Sequence, residues 1–250
     1  MFIQCNSHGR RAHLFLPKTE TITGVVLHAP DMLGYPKSSE LYSFYHDQGY
    51  AVLRPMRSGS GESEGVFSTQ QCFTDLRDRY NYIQQGNYKT LINPDGSFET
   101  ITLPPTETIL IGTSFGEWIV GLMAYHSHFS AILTIHILSP MRSPHRYTNN
   151  KPRIQQAHIH RHILTHAFPR SRTVDPSFWD EILGNVIYEP EPHIGQKKSL
   201  TVIHGRDDDV CPLSMGERCA RDLNARLVVV NGGHTSNMDR KQVYEALSIK

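Results

Sequence analysis

Gly112-Thr113-Ser114-Phe115-Gly116 fits the pattern G-x-S-x-G, with a buried-strand sequence, ETILIG (107–112), before it and a helical pattern (117–126) after it. A strand that turns so tightly into a helix holds its serine in a strained backbone conformation, and the flanking positions must be glycine to avoid the neighbouring backbone. The turn also sets Ser114 at a helix N-terminus, where N–H groups and the dipole favour an alkoxide or oxyanion. A serine hydroxyl is a poor nucleophile until a base takes its proton, and that base must be oriented by a third group. Two later segments offer such groups. The strand LTVIHG (200–205) runs into Arg206-Asp207-Asp208-Asp209, so carboxylates leave the carboxyl end of a strand. The strand 227–230 runs into Asn231-Gly232-Gly233-His234, a glycine-rich loop that presents an imidazole. Serine, acid and histidine in this order are the makings of nucleophilic catalysis.

The elements that must hold these groups alternate. Short β-rich apolar runs are separated by amphipathic segments, the signature of a mostly parallel sheet with helices on both faces. FIQC and AHLFL, separated by Asn6-Ser7-His8-Gly9, read as an antiparallel hairpin. TGVVLHA and YAVLRPM read as buried strands bracketing a helix over 39–48. Phe73, Leu76, Tyr80 and Ile83 recur at three- and four-residue spacing, which predicts a helix over 69–85. KTLINPDGSFETITL carries two alternating runs about Asn93-Pro94-Asp95-Gly96 and reads as a surface hairpin inserted in the fold. AILTIHIL and RLVVV are further strands, a helix follows Pro212, and a last helix covers 240–248.

Composition narrows the classes. Lys and Arg total 25 against 24 Asp and Glu, a net charge of +1, with no long basic block, so a nucleic-acid partner is not expected. Cys5, Cys72, Cys211 and Cys219 form no CxxC pair or disulfide framework and read as reduced thiols or core fillers. The N-terminus lacks the order of a signal peptide, and no apolar run reaches the length of a membrane span. The expectation is a cytoplasmic protein without a membrane span. The oligomeric state is not legible.

Together the pieces LHAP, VLRPMRSGSGESEG, GTSFGEW, HGRDDDVCP and NGGH resemble, in order and over nearly the whole chain, the α/β-hydrolases. The closest likeness is to the small bacterial type with GYSFGA-like elbows and RFNFRGVGxSxG-like segments. The resemblance implies an α/β-hydrolase fold: a mostly parallel central sheet flanked by helices, with a small helical cap insertion. In that family the acid commonly stands three residues after the strand-ending glycine. Counting from Gly205 gives Asp208, with Asp207 as the alternative and Asp209 where many relatives carry proline. Some members carry the acid after the preceding strand, but Leu138-Ser139-Pro140 has no carboxylate. The implied chemistry is acyl transfer to Ser114, with His234 as general base and then acid, and Asp208 fixing its tautomer. No cofactor or metal is called for. The stretch 57–65 resembles the family's R-G-x-G-x-S-x-G, a turn leaving the strand beside the nucleophile strand, with Ser58 where glycine is usual. A phosphate-cradling loop is disfavoured there, since Glu62 and Glu64 would oppose an anion.

The oxyanion hole is expected to use the Phe115 N–H and a second donor from the loop after TGVVLHA. In relatives that donor often belongs to the residue after His-Gly, which here is Pro30, a residue without an N–H. A shifted register is therefore expected, with Asp31, or else Met32, donating while Pro30 stiffens the turn.

Between 139 and 199 the strand signal stops, which divides the chain into a core of 1–140 and 199–250 and a cap of 141–198. Apolar cap residues such as Ile159, Phe178 and Trp179 can roof an acyl pocket, with Pro30 and Met32 lining it. His158, His162 and His166 share a face if that stretch is helical. No H-E-x-x-H motif or adjacent carboxylate accompanies them, so a cap helix is preferred to a metal site. Three functions remain open: a serine hydrolase of carboxylic esters or thioesters acting on a small-molecule acyl substrate, an acyltransferase with the same acyl-enzyme, and a non-catalytic binding protein.

Overall fold

Uninterrupted apolar runs become the buried strands. In the computed structural model the described residues are 2–7, 10–19, 21–30, 40–59, 63–91, 98–102, 107–140 and 198–248. The turn at Asn93-Pro94-Asp95-Gly96 and the cap stretch 141–197, with its histidines, lie outside them. They form two compact units, one holding residues 2–28 and 40–108, the other 29–30, 109–140 and 198–248.

The first unit is a sheet ordered β3(Gly24–Ala29), β4(Tyr50–Pro55), β2(Arg10–Phe15), β1(Phe2–Ser7), β5(Asn87–Leu91), β6(Phe98–Thr102). β3 and β4 are parallel, and every residue of both is buried, as a strand covered on both faces requires. The connection between them contains α1(Glu40–His46), which packs on β4. β1 and β2 are the expected hairpin. β5 pairs with β1 as well as with β6, so these two strands prolong the sheet at its edge. β4 has β3 on one edge and β2 on the other, which corrects one expectation: the 57–65 turn does not leave a strand adjacent to the nucleophile strand, because both edges of β4 are already used.

That turn is held by α2(Thr69–Gln85), whose limits are the expected ones. The Ser68 hydroxyl caps it by accepting the Gln71 N–H, and Gly86 closes it at φ +72°. Its inner face carries Cys72, Leu76, Tyr80 and Ile83 but also Asp75 and Arg79, while Phe73 is only half-buried. Asp75 has a purpose that periodicity alone does not convey. Asp75 accepts the Ser58 N–H (2.7 Å), the Ser58 hydroxyl (2.9 Å) and the Gln71 side-chain amide (2.9 Å). Ser58 thus pins the turn to the helix.

The second unit carries Ser114, Asp208 and His234. β7(Glu107–Thr113), β8(Thr134–Leu138), β9(Ser199–Gly205) and β10(Arg226–Val230) are parallel neighbours in that order. α3(Gly116–Tyr125) packs on β8, and α4(Leu213–Asp222) and α5(Arg240–Leu247) pack on β9 and β10. The result is the alternation of parallel strand and helix expected from the sequence, with the loops after β7, β9 and β10 all at the carboxyl ends of the strands.

At the centre of this sheet lies His136 of β8, in register with Ile111 and Thr201 and 5% exposed. Neither ring nitrogen has a hydrogen-bond partner among the described residues, and burial lowers its pKa to about 4. The unfolded chain takes up this proton near pH 6.5, whereas the native protein resists it until about pH 4, so the neutral-pH stability is lost as pH falls through that window. Between pH 7 and pH 5 this one residue should cost about 2 kcal/mol. Urea unfolding at both pH values should show His136→Leu with a correspondingly smaller loss, and an unchanged loss would contradict the assignment.

Candidate active site

β7 ends at Thr113, and three residues later, at Gly116, the chain is helical. Ser114 stands between them at φ +51°, a left-handed conformation rare for a residue with a Cβ. Its N–H donates to the Leu138 carbonyl at the end of β8 (2.9 Å), and its carbonyl accepts the Glu117 N–H (3.0 Å). Both glycines of the motif are sterically required. A Cβ on Gly112 would lie 2.9 Å from the Glu117 Cα and the Gly116 oxygen. One on Gly116 would collide with the Ala29 carbonyl and stand 2.7 Å from that of Pro30. The loop after β3 therefore reaches the turn through backbone contact. Asp31 and Met32, the expected donors beyond Pro30, lie outside the described residues, as does Trp179.

Of the three neighbouring aspartates only Asp208 is buried, and Asp207 and Asp209 are exposed. Its Oδ1 accepts the N–H groups of Val210 (3.0 Å) and Cys211 (2.7 Å), which fixes the carboxylate plane. Its Oδ2 accepts from His234 Nδ1 at 2.8 Å. The loop that brings His234 there crosses β9 at Gly205, where a Cβ would run into the carbonyls of Gly232 and Gly233. Gly232 turns at φ +96°, and its carbonyl accepts the Asp207 N–H (2.9 Å), joining the two loops. Beyond His234 the chain makes a 3₁₀ turn, Thr235–Asn237, and the Thr235 N–H donates to the Ser139 hydroxyl (3.0 Å).

His234 Nε2 lies 3.2 Å from Ser114 Oγ. Because an ionised carboxylate only accepts, Nδ1 carries the proton in the bond to Asp208. Nε2 then holds a lone pair, and the Ser114 hydroxyl donates to it. Hydroxyl, imidazole and carboxylate form one proton-relay chain, able to draw a proton off Ser114 and hold it as imidazolium beside Asp208. Cys211, adjacent to the acid, does not compete as a nucleophile: burial, then the charges of Asp208 and Glu117, push its thiol up to about 12.

The sequence reading did not anticipate Ser139 or His204. Ser139, fully buried at φ +47°, braces the His234 loop, and no local pattern marks it. His204 was legible only as the penultimate residue of a strand. Among the described residues no group of three or more His, Cys, Asp or Glu side chains is placed to hold a metal ion, and no helix is long and apolar enough to cross a membrane.

The chain has the α/β-hydrolase fold. It is similar to Est1E from Butyrivibrio proteoclasticus, with 15% identity, TM-score 0.65, and 98% of this chain and 95% of that one covered. A soluble variant of monoglyceride lipase from Saccharomyces cerevisiae in complex with a substrate analogue matches at 16% identity and TM-score 0.64, over 98% and 91% of the two chains. XC6422 from Xanthomonas campestris, described as an α/β serine hydrolase without a lid, matches at 13% identity and TM-score 0.53, over 94% and 85%. No family model matches the chain, and no curated protein matches it in sequence.

The left-handed backbone at Ser114 has a measurable consequence. A Cβ there costs about 1–2 kcal/mol, partly offset by the extra freedom glycine gives the unfolded chain. Ser114→Gly should therefore be more stable than Ser114→Ala by about 1 kcal/mol in urea unfolding, although both lack the hydroxyl. Equal stability, or a less stable glycine variant, would mean that the turn is not strained.

Proposed function

We propose that the protein is a serine hydrolase that cleaves a carboxylic ester or thioester of a small-molecule acyl substrate through an acyl-enzyme on Ser114. The observation that carries this reading is the continuous chain from Ser114 Oγ to His234 Nε2 (3.2 Å) and from His234 Nδ1 to Asp208 Oδ2 (2.8 Å). In the first half-reaction His234 accepts the Ser114 proton as Oγ attacks the carbonyl carbon. The same proton is then delivered to the leaving alkoxide or thiolate as the tetrahedral intermediate collapses. Water repeats the sequence on the acyl-enzyme and releases the acid. Asp208 stays ionised throughout, holding the imidazole tautomer and stabilising the imidazolium.

In this reading the oxyanion is bound by the N–H of Phe115, at the start of α3, and by the N–H of Asp31. The contact of the Ala29 and Pro30 carbonyls with Gly116 supports it, because that contact brings the loop after β3 to the Ser114 turn. We assign 141–198 as the cap over a core of 1–140 and 199–250, with Pro30, Met32 and Trp179 lining the acyl pocket. A cytoplasmic location suits the buried thiols of Cys72, Cys211 and Cys219. The likeness to a yeast monoglyceride lipase favours an ester over an amide.

A fluorophosphonate should label the protein covalently at Ser114, and Ser114→Ala should take up none. Hydrolysis of a short p-nitrophenyl ester should fall by roughly three to four orders of magnitude in Asp208→Asn and His234→Ala, which misplace or remove the base while leaving the fold. A well-folded protein that neither labels nor turns over any such ester would sink the hydrolase reading.

A further inference from the structure

His204 is the last side chain of β9 before Gly205, and it is completely buried. The proposed reaction does not use it, yet its contacts lead to the acid. Its Nε2 lies 2.7 Å from the Cys211 carbonyl oxygen, and because a carbonyl only accepts, Nε2 carries the hydrogen and donates. Cys211 is also the residue whose N–H makes the shorter of the two backbone bonds to Asp208 Oδ1, at 2.7 Å. One imidazole therefore anchors, by its carbonyl, the residue that holds the carboxylate by its amide.

The other edge of the ring explains why this anchor stays neutral. Nδ1 has no hydrogen-bond partner among the described residues. The ring is backed by Gly216 of α4, where a Cβ would stand 2.6 Å from Nδ1. A second proton there would be buried without an acceptor. Burial lowers the His204 pKa, His234 lowers it further, and the Cys211 carbonyl, Asp208 and Glu217 pull the other way. Nε2 is 3.6 Å from Asp208 Oδ2, beyond a hydrogen bond. The oxygen that faces His234 is thus not shared with a second donor.

We propose that His204 is a positioning residue for the catalytic acid: through Cys211 it fixes the amide that sets the Asp208 carboxylate, leaving Oδ2 to His234 alone. This rests on the reading of Ser114, His234 and Asp208 as the catalytic groups, and the experiment separates the two. His204→Gln keeps a nitrogen donor at nearly the same reach as Nε2, whereas His204→Asn is too short and His204→Phe fills the space without a donor.

With wild type that labels at Ser114 and turns over p-nitrophenyl ester, the Asn and Phe variants should lose about 10- to 100-fold in kcat with KM within about twofold. The acid limb of their kcat/KM profile should move about one unit to lower pH, because the imidazolium loses its aligned carboxylate. The Gln variant should keep the wild-type limb and most of kcat, a rescue that simple filling of the core does not produce. Asn and Phe variants with the wild-type limb and kcat overturn the inference while the hydrolase reading stands. A Gln variant as impaired as the Asn one overturns it equally, as does failure of all three to fold, which would make His204 a core residue only. Wild type that neither labels nor turns over fails the hydrolase reading, and this inference with it.

Discussion

Backbone must touch backbone at two points for this site to exist. At Gly116 the carbonyls of Ala29 and Pro30 occupy the place of a Cβ, and at Gly205 the carbonyls of Gly232 and Gly233 do the same. The first contact brings the loop after β3 against the turn that holds Ser114. The second lays the His234 loop across the end of β9, from which Asp208 hangs. Any side chain at either glycine would wedge these loops apart, and a hydrogen-bond chain with links of 2.8 and 3.2 Å has no slack to absorb such a shift.

Electrostatics follow from that packing. Asp208 is a buried charge, which is tolerable only when its oxygens are hydrogen-bonded. Two amides take Oδ1 and one imidazole takes Oδ2, so the charge is satisfied in the direction that serves His234. The surrounding titratable groups are kept out of the way. The Cys211 thiol is held protonated, and His204 is held neutral by burial. Three of the four described non-glycine residues at positive φ lie here, Ser114 at +51°, Ser139 at +47° and Thr235 at +34°; the fourth, Asn224 at +47°, is in the turn between α4 and β10.

Much of this was legible in the sequence because the signals are local. Buried strands such as GVVLHA and YAVLRP declare themselves by apolar runs, α2 by its spacing and its flanking Ser68 and Gly86, and the Ser114 turn by its paired glycines. The choice among Asp207, Asp208 and Asp209 was not local. Only the strand-end geometry turns Asp208 inward to His234, and counting from Gly205 points to the same residue because it stands in for that geometry. The polar face of α2, the brace at Ser139 and the anchor at His204 depend on partners 17, 96 and 7 residues away. Residue periodicity registers such side chains only as interruptions of an apolar pattern. The neighbours of β4 likewise depend on sheet order, which strand signals alone do not specify.

The central claim is that Ser114 becomes acylated. Rapid acid quenching during turnover of a p-nitrophenyl ester, followed by peptide mass spectrometry, tests it directly. The peptide containing Ser114 should gain the mass of the acyl group early in the reaction and lose it once substrate is exhausted. Turnover with the acyl group on another residue, or undiminished turnover in a protein lacking the Ser114 hydroxyl, would contradict the account.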